Sequence, residues 1–149
     1  MNLINQQRVI PELTRFAENK RHNLLISGIE WCGKTYLAKL YAKKLNIDDF
    51  QIVESKISSV KDAIENCIHI NTPIVLCIEN LDLGVNAVSY AILKFLEEPS
   101  DNVYIVVTCR NIKRIPDTIL SRCVTIALSP MVESDLVVYC HSYLSNKKQ

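Results

Sequence analysis

Eight consecutive residues have the types and spacing to hold a chain of phosphates. Gly28-Ile29-Glu30-Trp31-Cys32-Gly33-Lys34-Thr35 matches G-x-x-x-x-G-K-[S/T] at every fixed position. Glycines at both ends let the backbone curl until its N–H groups face an anion. A helix opening near Gly33 adds the positive end of its dipole. In this pattern Lys34 reaches the β- and γ-phosphates, and the Thr35 hydroxyl ligates Mg²⁺. A Gly-rich turn can match by chance, but this one follows an apolar run and opens a helical pattern. Glu30 and Trp31 are more acidic and bulkier than such a loop usually carries, which weakens the fit without forbidding it.

Hydrolysis at a phosphate loop also needs a second strand ending in an acidic pair. One carboxylate holds the Mg²⁺ shell and the other polarises water. Here the apolar run Ile74-Val75-Leu76-Cys77-Ile78 ends in Glu79-Asn80-Leu81-Asp82. Glu79 falls at the metal-associated position and Asn80 at that of the base. An amide can orient water, but it cannot take its proton.

The elements that must position these groups follow from periodicity. Gln6 to Lys20 carries Val9, Ile10, Leu13 and Phe16 at helical spacing, with Pro11 near the start. Asn23 to Ser27 reads as a buried strand ending at Gly28, and Thr35 to Leu45 as an amphipathic helix. Phe50 to Val53 suits a short strand, and Val60 to Ile70 a helix. Ile74 to Ile78 and Val103 to Val107 are continuous and β-branched, as strands covered on both faces are. Between them Val85 to Glu97 is helical until Pro99. Ile115 to Arg122 reads as a short helix, Val124 to Leu128 as a last strand and Met131 to Leu144 as a further helix. Strands alternating with helices imply an α/β fold, a three-layer parallel sheet with helices on both faces. Ligands then bind beyond the carboxyl ends of the strands, where the loop falls.

The 149 residues suit one domain, with 48% apolar and 22% charged residues. Lys plus Arg total 17 against 16 for Asp plus Glu, so overall charge is no argument for or against a nucleic-acid partner, and any DNA contact needs a local basic patch. No run reaches the roughly 18 apolar residues of a membrane span, and a cytoplasmic, membrane-free protein is expected. Cys32, Cys67, Cys77, Cys109, Cys123 and Cys140 lack the paired spacing of a zinc module and read as small buried hydrophobes. His22, His69 and His141 are dispersed and suggest no site. Glu97, Glu98, Lys113 and Arg114 read as solvated.

The segment AILKFLEEPSDNVYIVVTCRNIKRIPDTILSRC, from Ala91 to Cys123, resembles the gamma and delta-prime subunits of bacterial clamp loaders. It is similar, more distantly, to the small subunits of replication factor C. Those families share an LLK-x-LEEPP segment, a sensor strand and TI-x-SRC, and the entry His22 to Gly28 also resembles theirs. The resemblance implies a P-loop NTPase (AAA+) nucleotide-binding domain over 1–130, with a remnant or start of a lid helix over 131–149, so that the lid is truncated.

By the same resemblance Gly28, Gly33, Lys34 and Thr35 match Walker A. Glu79 and Asn80 match Walker B, where an active ATPase has Asp then Glu. Arg110 falls at the sensor 1 position, where active subunits carry Thr or Asn. Arg122, in Ser121-Arg122-Cys123, matches the arginine finger that reaches a neighbour's ATP. Taken alone, Arg122 reads as a cap of its helix; within TILSRC the finger is the favoured reading. The zinc-binding insertion of the bacterial family is absent between the Walker motifs, and residues 131–149 are too few for its three-helix lid or its collar, as expected of a reduced subunit or of a fragment of one.

The implied function is an ATP- and Mg²⁺-binding clamp-loader subunit of delta-prime type, with weak or no hydrolysis in cis and its finger acting in trans. Its partners would be other clamp-loader subunits, the sliding clamp and primed DNA, contacted without regard to sequence. The alternatives are a competent gamma-like ATPase motor and an interaction module that binds no nucleotide.

Overall fold

The computed structural model describes residues 8–30, 32–84, 86–129, 141 and 144–145. In chain order the elements are α1 (Ile10–Glu18), β1 (Asn23–Ser27), α2 (Lys34–Lys44), β2 (Phe50–Glu54) and α3 (Ile57–Ile68). There follow β3 (Ile74–Glu79), α4 (Asn86–Glu97), β4 (Val103–Cys109), α5 (Asp117–Leu120) and β5 (Val124–Ala127). Single 3₁₀ turns lie at Leu81–Leu83 and Ile112–Arg114. The strands form one sheet in the order β2-β3-β4-β1-β5, and every pairing is parallel. The chain leaving β1 therefore crosses β4 and β3 to reach β2 at the far edge, while β1 stays inside the sheet.

Strand alternation divides the core in two. Leu25, Ile74, Leu76, Ile78, Val103, Ile105 and Val107 pack with Val60 and Ile64 of α3, Val88 and Ile92 of α4 and Ile119 of α5. Leu24, Ile26, Val75, Cys77, Tyr104 and Val106 pack on the opposite face with Leu13 and Phe16 of α1 and Leu37, Ala38 and Tyr41 of α2. The three expected layers are present. Truncating a core side chain such as Leu76 to Ala is worth about 2–5 kcal/mol. The described cysteines behave as small hydrophobes: Cys32, Cys67, Cys77 and Cys109 are buried and Cys123 is half-buried, all as reduced thiols, while Cys140 lies outside the described residues. Burial holds the Cys77 and Cys123 thiols up to about 12, so neither ionises near neutral pH.

Several boundaries differ from the sequence expectation for local reasons. Pro11 sits in the first turn of α1, so the helix begins at Ile10; Gln6 lies outside the described residues. Helix α3 starts at Ile57, three residues before Val60, because Lys56 is extended and leaves the chain free to coil there. Pro116 is extended at the N-cap, and α5 is cut back to Asp117–Leu120. The 3₁₀ turn at Ile112–Arg114, capped by the Asn111 side chain accepting from Lys113 N, was not foreseen. Strand β5 stops at Ala127. The expected helix over 131–144 lies almost wholly outside the described residues, of which His141, Leu144 and Ser145 are helical. Among the described residues no helix is long and apolar enough to cross a membrane.

Helices α1 and α2 both end in the same device. Arg21 N bonds Phe16 O and Lys20 N bonds Ala17 O; Ile47 N bonds Ala42 O and Asn46 N bonds Lys43 O. Lys20 (φ 49°) and Asn46 (φ 59°) take the left-handed position that this motif requires. The Tyr41 hydroxyl, on a fully buried ring, donates to Arg21 O and so ties α2 to the turn that feeds β1. Asn tolerates the left-handed conformation better than Lys. Replacing Lys20 by Gly removes that strain, and urea unfolding should show Lys20→Gly more stable by about 0.5–1 kcal/mol.

Candidate functional site

The loop after β1 is held at its base by neighbouring strands. Gly28 N donates to Cys109 O at the end of β4 (3.1 Å), and Leu128 N donates to Ser27 O (2.8 Å). Gly28 has no room for a side chain: a Cβ there would lie 2.5 Å from Cys32 Sγ and 3.2 Å from Leu128 Cβ. At the other end Gly33 has φ 91°, the left-handed step from which α2 starts. Both glycines of the motif thus have a physical reason. Cys32 is buried beneath the loop, and burial raises its thiol pKa against the opposing pull of Lys34. The Cys32 side chain therefore faces inward, and only its backbone is left to meet a ligand.

Lys34, although it opens a helix at the surface loop, is buried. Its ammonium donates to Gly28 O (2.5 Å) and Ile29 O (3.1 Å), folding back over the loop that carries it. An ammonium with three donors takes the nearest carbonyls when these point inward across a tight turn. Thr35 opens α2 toward the sheet, and its hydroxyl donates to Glu79 Oε1 at 2.6 Å. The end of β3 that carries Glu79 is fixed by Ser55, whose hydroxyl donates to Glu79 O at 2.5 Å. Asn80 follows in the left-handed conformation (φ 55°), and its N–H donates to the Thr108 hydroxyl at 3.1 Å. Asn is among the few side chains that take this conformation readily.

These groups surround a cavity of about 440 Å³, lined by Glu30, by Cys32 through Tyr36, and by Glu79, Asn80 and Thr108. A larger recess of about 690 Å³ between α2 and the start of β2 includes Lys39, Lys43 and Asp48 but none of the loop residues. Its size does not make it the site, because it holds no convergent set of reactive groups. Arg110 does not line the loop cavity. It borders an adjacent recess with Ile29 and Glu30, and its Nη1 lies 3.2 Å from Glu30 Oε1. Trp31 lies outside the described residues.

Arg122 lies at the far end of the sheet. Its backbone carbonyl accepts from the Asn23 side chain at the start of β1, whereas the loop follows the end of β1. The Arg122 guanidinium donates to Thr118 O (2.7 Å) and Ser121 Oγ (3.3 Å), and it pairs with Glu97 Oε1 at 2.7 Å. Helix-end capping is therefore part of what Arg122 does in the isolated chain. Glu97, expected to be solvated, is half-exposed and bound to Arg122, because the end of α4 packs beside α5. Lys113 and Arg114 are exposed as expected.

Three residues of this arrangement escaped the sequence reading: Ser55, Asp82 and Thr108. Thr108 left a trace, as the polar member of an otherwise apolar run, in a strand buried along its whole length. Asp82 accepts from Arg110 N (3.2 Å) and Asn111 N (3.0 Å), bonds between segments distant in sequence that left no trace.

Residues 51–132 match the family model described as DNA polymerase III, delta subunit. The gamma subunit of DNA polymerase III from Buchnera aphidicola subsp. Baizongia pistaciae is 25% identical, covering 99% of this chain and 48% of that protein. The tau/gamma subunit of Haemophilus influenzae is 26% identical, over 91% of this chain and 24% of its own length. Among solved structures, a gamma-subunit-related protein of Thermotoga maritima matches with a TM-score of 0.67 at 18% identity, over 83% of this chain and 46% of that one. The RuvB Holliday junction branch migration motor of the same organism gives 0.72 at 17% identity, over 88% and 47%. The fold is that of the P-loop NTPases of AAA+ type. The chain spans about half the length of the Buchnera relative.

The packing under the loop is directly testable. Gly28→Ala should lose about 1–3 kcal/mol in urea unfolding through overpacking. Adding Cys32→Ala, which removes the clashing sulfur, should recover part of that loss.

Proposed function

Because the chain belongs to the DNA polymerase III, delta subunit family, we propose that it is a nucleotide-binding subunit of a clamp loader, of delta-prime type. The observation that carries the reading is the 2.6 Å hydrogen bond from Thr35 Oγ1 to Glu79 Oε1, in the cavity that Lys34 also lines. Two hard oxygen donors side by side at a phosphate loop suit Mg²⁺. Bound there, the ion would neutralise charge on the phosphates of ATP. Thr35 and Glu79 would hold it, and backbone N–H groups of the loop between Gly28 and Thr35 would cradle the phosphates. Lys34 would exchange its two loop carbonyls for phosphate oxygens.

Hydrolysis in cis is weak or absent in this reading. Asn80 stands where a base is needed, and its amide accepts no proton at neutral pH. Arg122 acts on a neighbour. Its position at the opposite end of β1 from the loop supports this, since no side chain spans the sheet to reach its own cavity. A guanidinium suits the task because it is permanently charged and stabilises charge developing on a γ-phosphate. The partners are other clamp-loader subunits, a sliding clamp and primed DNA met through its backbone. A cytoplasmic location goes with that role.

Titration calorimetry of the full chain with Mg²⁺ and ATP should show binding, and a turnover assay on the same sample should show little or no hydrolysis. Turnover at the rate of a motor subunit would overturn the reading of Asn80; absence of binding would overturn the nucleotide site. Lys34→Ala should abolish binding and cost about 1–2 kcal/mol of stability, since the loop loses two internal hydrogen bonds. Arg122→Ala should keep binding in cis while the ATPase of a reconstituted clamp loader falls. Unchanged assembly activity would leave Arg122 as a helix cap.

A further inference from the structure

Glu30 is the misplaced charge of this site. It borders both the loop cavity and the adjacent recess, so its carboxylate stands at the rim of a cavity suited to an anion. Glu79 already adds one negative charge to that cavity, and Lys34 is the cation lining it. An uncompensated carboxylate at the rim would repel phosphates entering the cavity.

The compensation comes from the end of β4. Arg110 lies in the recess, outside the loop cavity, with Nη1 3.2 Å from Glu30 Oε1. Its backbone is anchored: Asp82 accepts from both Arg110 N and Asn111 N, so the corner that carries the guanidinium is fixed to the turn after β3. The other charged groups at the recess are Asp82, occupied by those two N–H groups, and Arg114. The pair itself is exposed, 41% for Arg110 and 57% for Glu30, and such pairs add little to folding stability. Its effect lies with what enters the cavity.

We propose that Arg110 is a positioning residue for nucleotide binding and acts through Glu30, holding that carboxylate on the recess side and cancelling its charge toward the phosphates. The proposal rests on the nucleotide-binding reading of the loop cavity. It makes Glu30 and Arg110, each unusual at its position, one compensated unit: the acidic loop residue is tolerated because a guanidinium takes the place that a small polar side chain would fill.

The test is a double-mutant cycle on the full chain, with Mg²⁺ and ATP as the calorimetric probe. Arg110→Ala should weaken binding about tenfold, and raising the salt from about 0.05 to about 0.5 M should shrink that loss. Glu30→Gln should bind no more weakly than the wild type, and adding Arg110→Ala to it should change affinity less than about twofold. Arg110→Lys, which keeps the charge, should retain most of the binding. Without nucleotide, all variants should unfold at the wild-type urea midpoint. An equal loss from Arg110→Ala in both backgrounds would mean that Arg110 meets the nucleotide directly, and would overturn the proposal. So would no loss in either background. If the wild type itself fails to bind, the nucleotide reading falls and takes this proposal with it, an outcome distinct from binding without coupling.

Discussion

Strands β3 and β4 are buried along nearly their whole length, β3 opening only at Glu79, and helices cover both faces of the sheet. Polar chemistry has no place inside such a sheet, since an unpaired buried polar group is costly. It is confined to the two ends. At the carboxyl ends the chain gathers Lys34, Thr35, Glu79, Asn80 and Thr108 around one cavity. At the amino ends it gathers His22, Asn23, Glu97 and Arg122. There the His22 ring stacks on Tyr104 at 4.3 Å, and Asn23 donates to Leu96 O and Arg122 O. The separation of the loop from Arg122 is thus a consequence of the buried sheet, which leaves polar side chains only its two ends.

The parallel register sets the fine geometry at the carboxyl end. Ser27 pairs with Cys109 and Ala127, and Ile78 with Val107, so β1, β3 and β4 reach the same level together. Glu79 then meets Thr35, and Asn80 N meets the Thr108 hydroxyl, without any long side chain having to stretch. The loop fills the space left by two glycines, one excluded from bearing a Cβ by Cys32 and Leu128, the other by its left-handed turn. Lys34 closes over that loop through its own carbonyls.

The electrostatic character of the site is mixed. One carboxylate, Glu79, accepts a hydrogen bond from the Thr35 hydroxyl. Another, Glu30, is offset by an arginine on a separate strand end. Arg122 has a partner within its own chain in Glu97. Both arginines are therefore charge-paired before any ligand arrives.

How much of this was legible beforehand depends on the range of the interaction. The glycine-lysine motif of residues 28–35, the apolar runs of β1, β3 and β4, and the amide at Asn80 just after β3 are local properties of sequence, written in residue type and spacing, and they were readable there. So was the resemblance of 91–123 to clamp-loader subunits. Helix starts slipped by a turn or less, because caps and extended prolines act over single residues. Three features came only from tertiary structure: the burial of Lys34 on its own loop, the Arg110–Glu30 pair with Asp82 beneath it, and the hold of Glu97 on Arg122. Lys34 meets carbonyls of its own loop only once that loop has curled, and the other two join groups 25 to 80 residues apart that the fold alone brings near. No periodicity records such a meeting, because it depends on which strand ends lie side by side once the two faces of the sheet are covered.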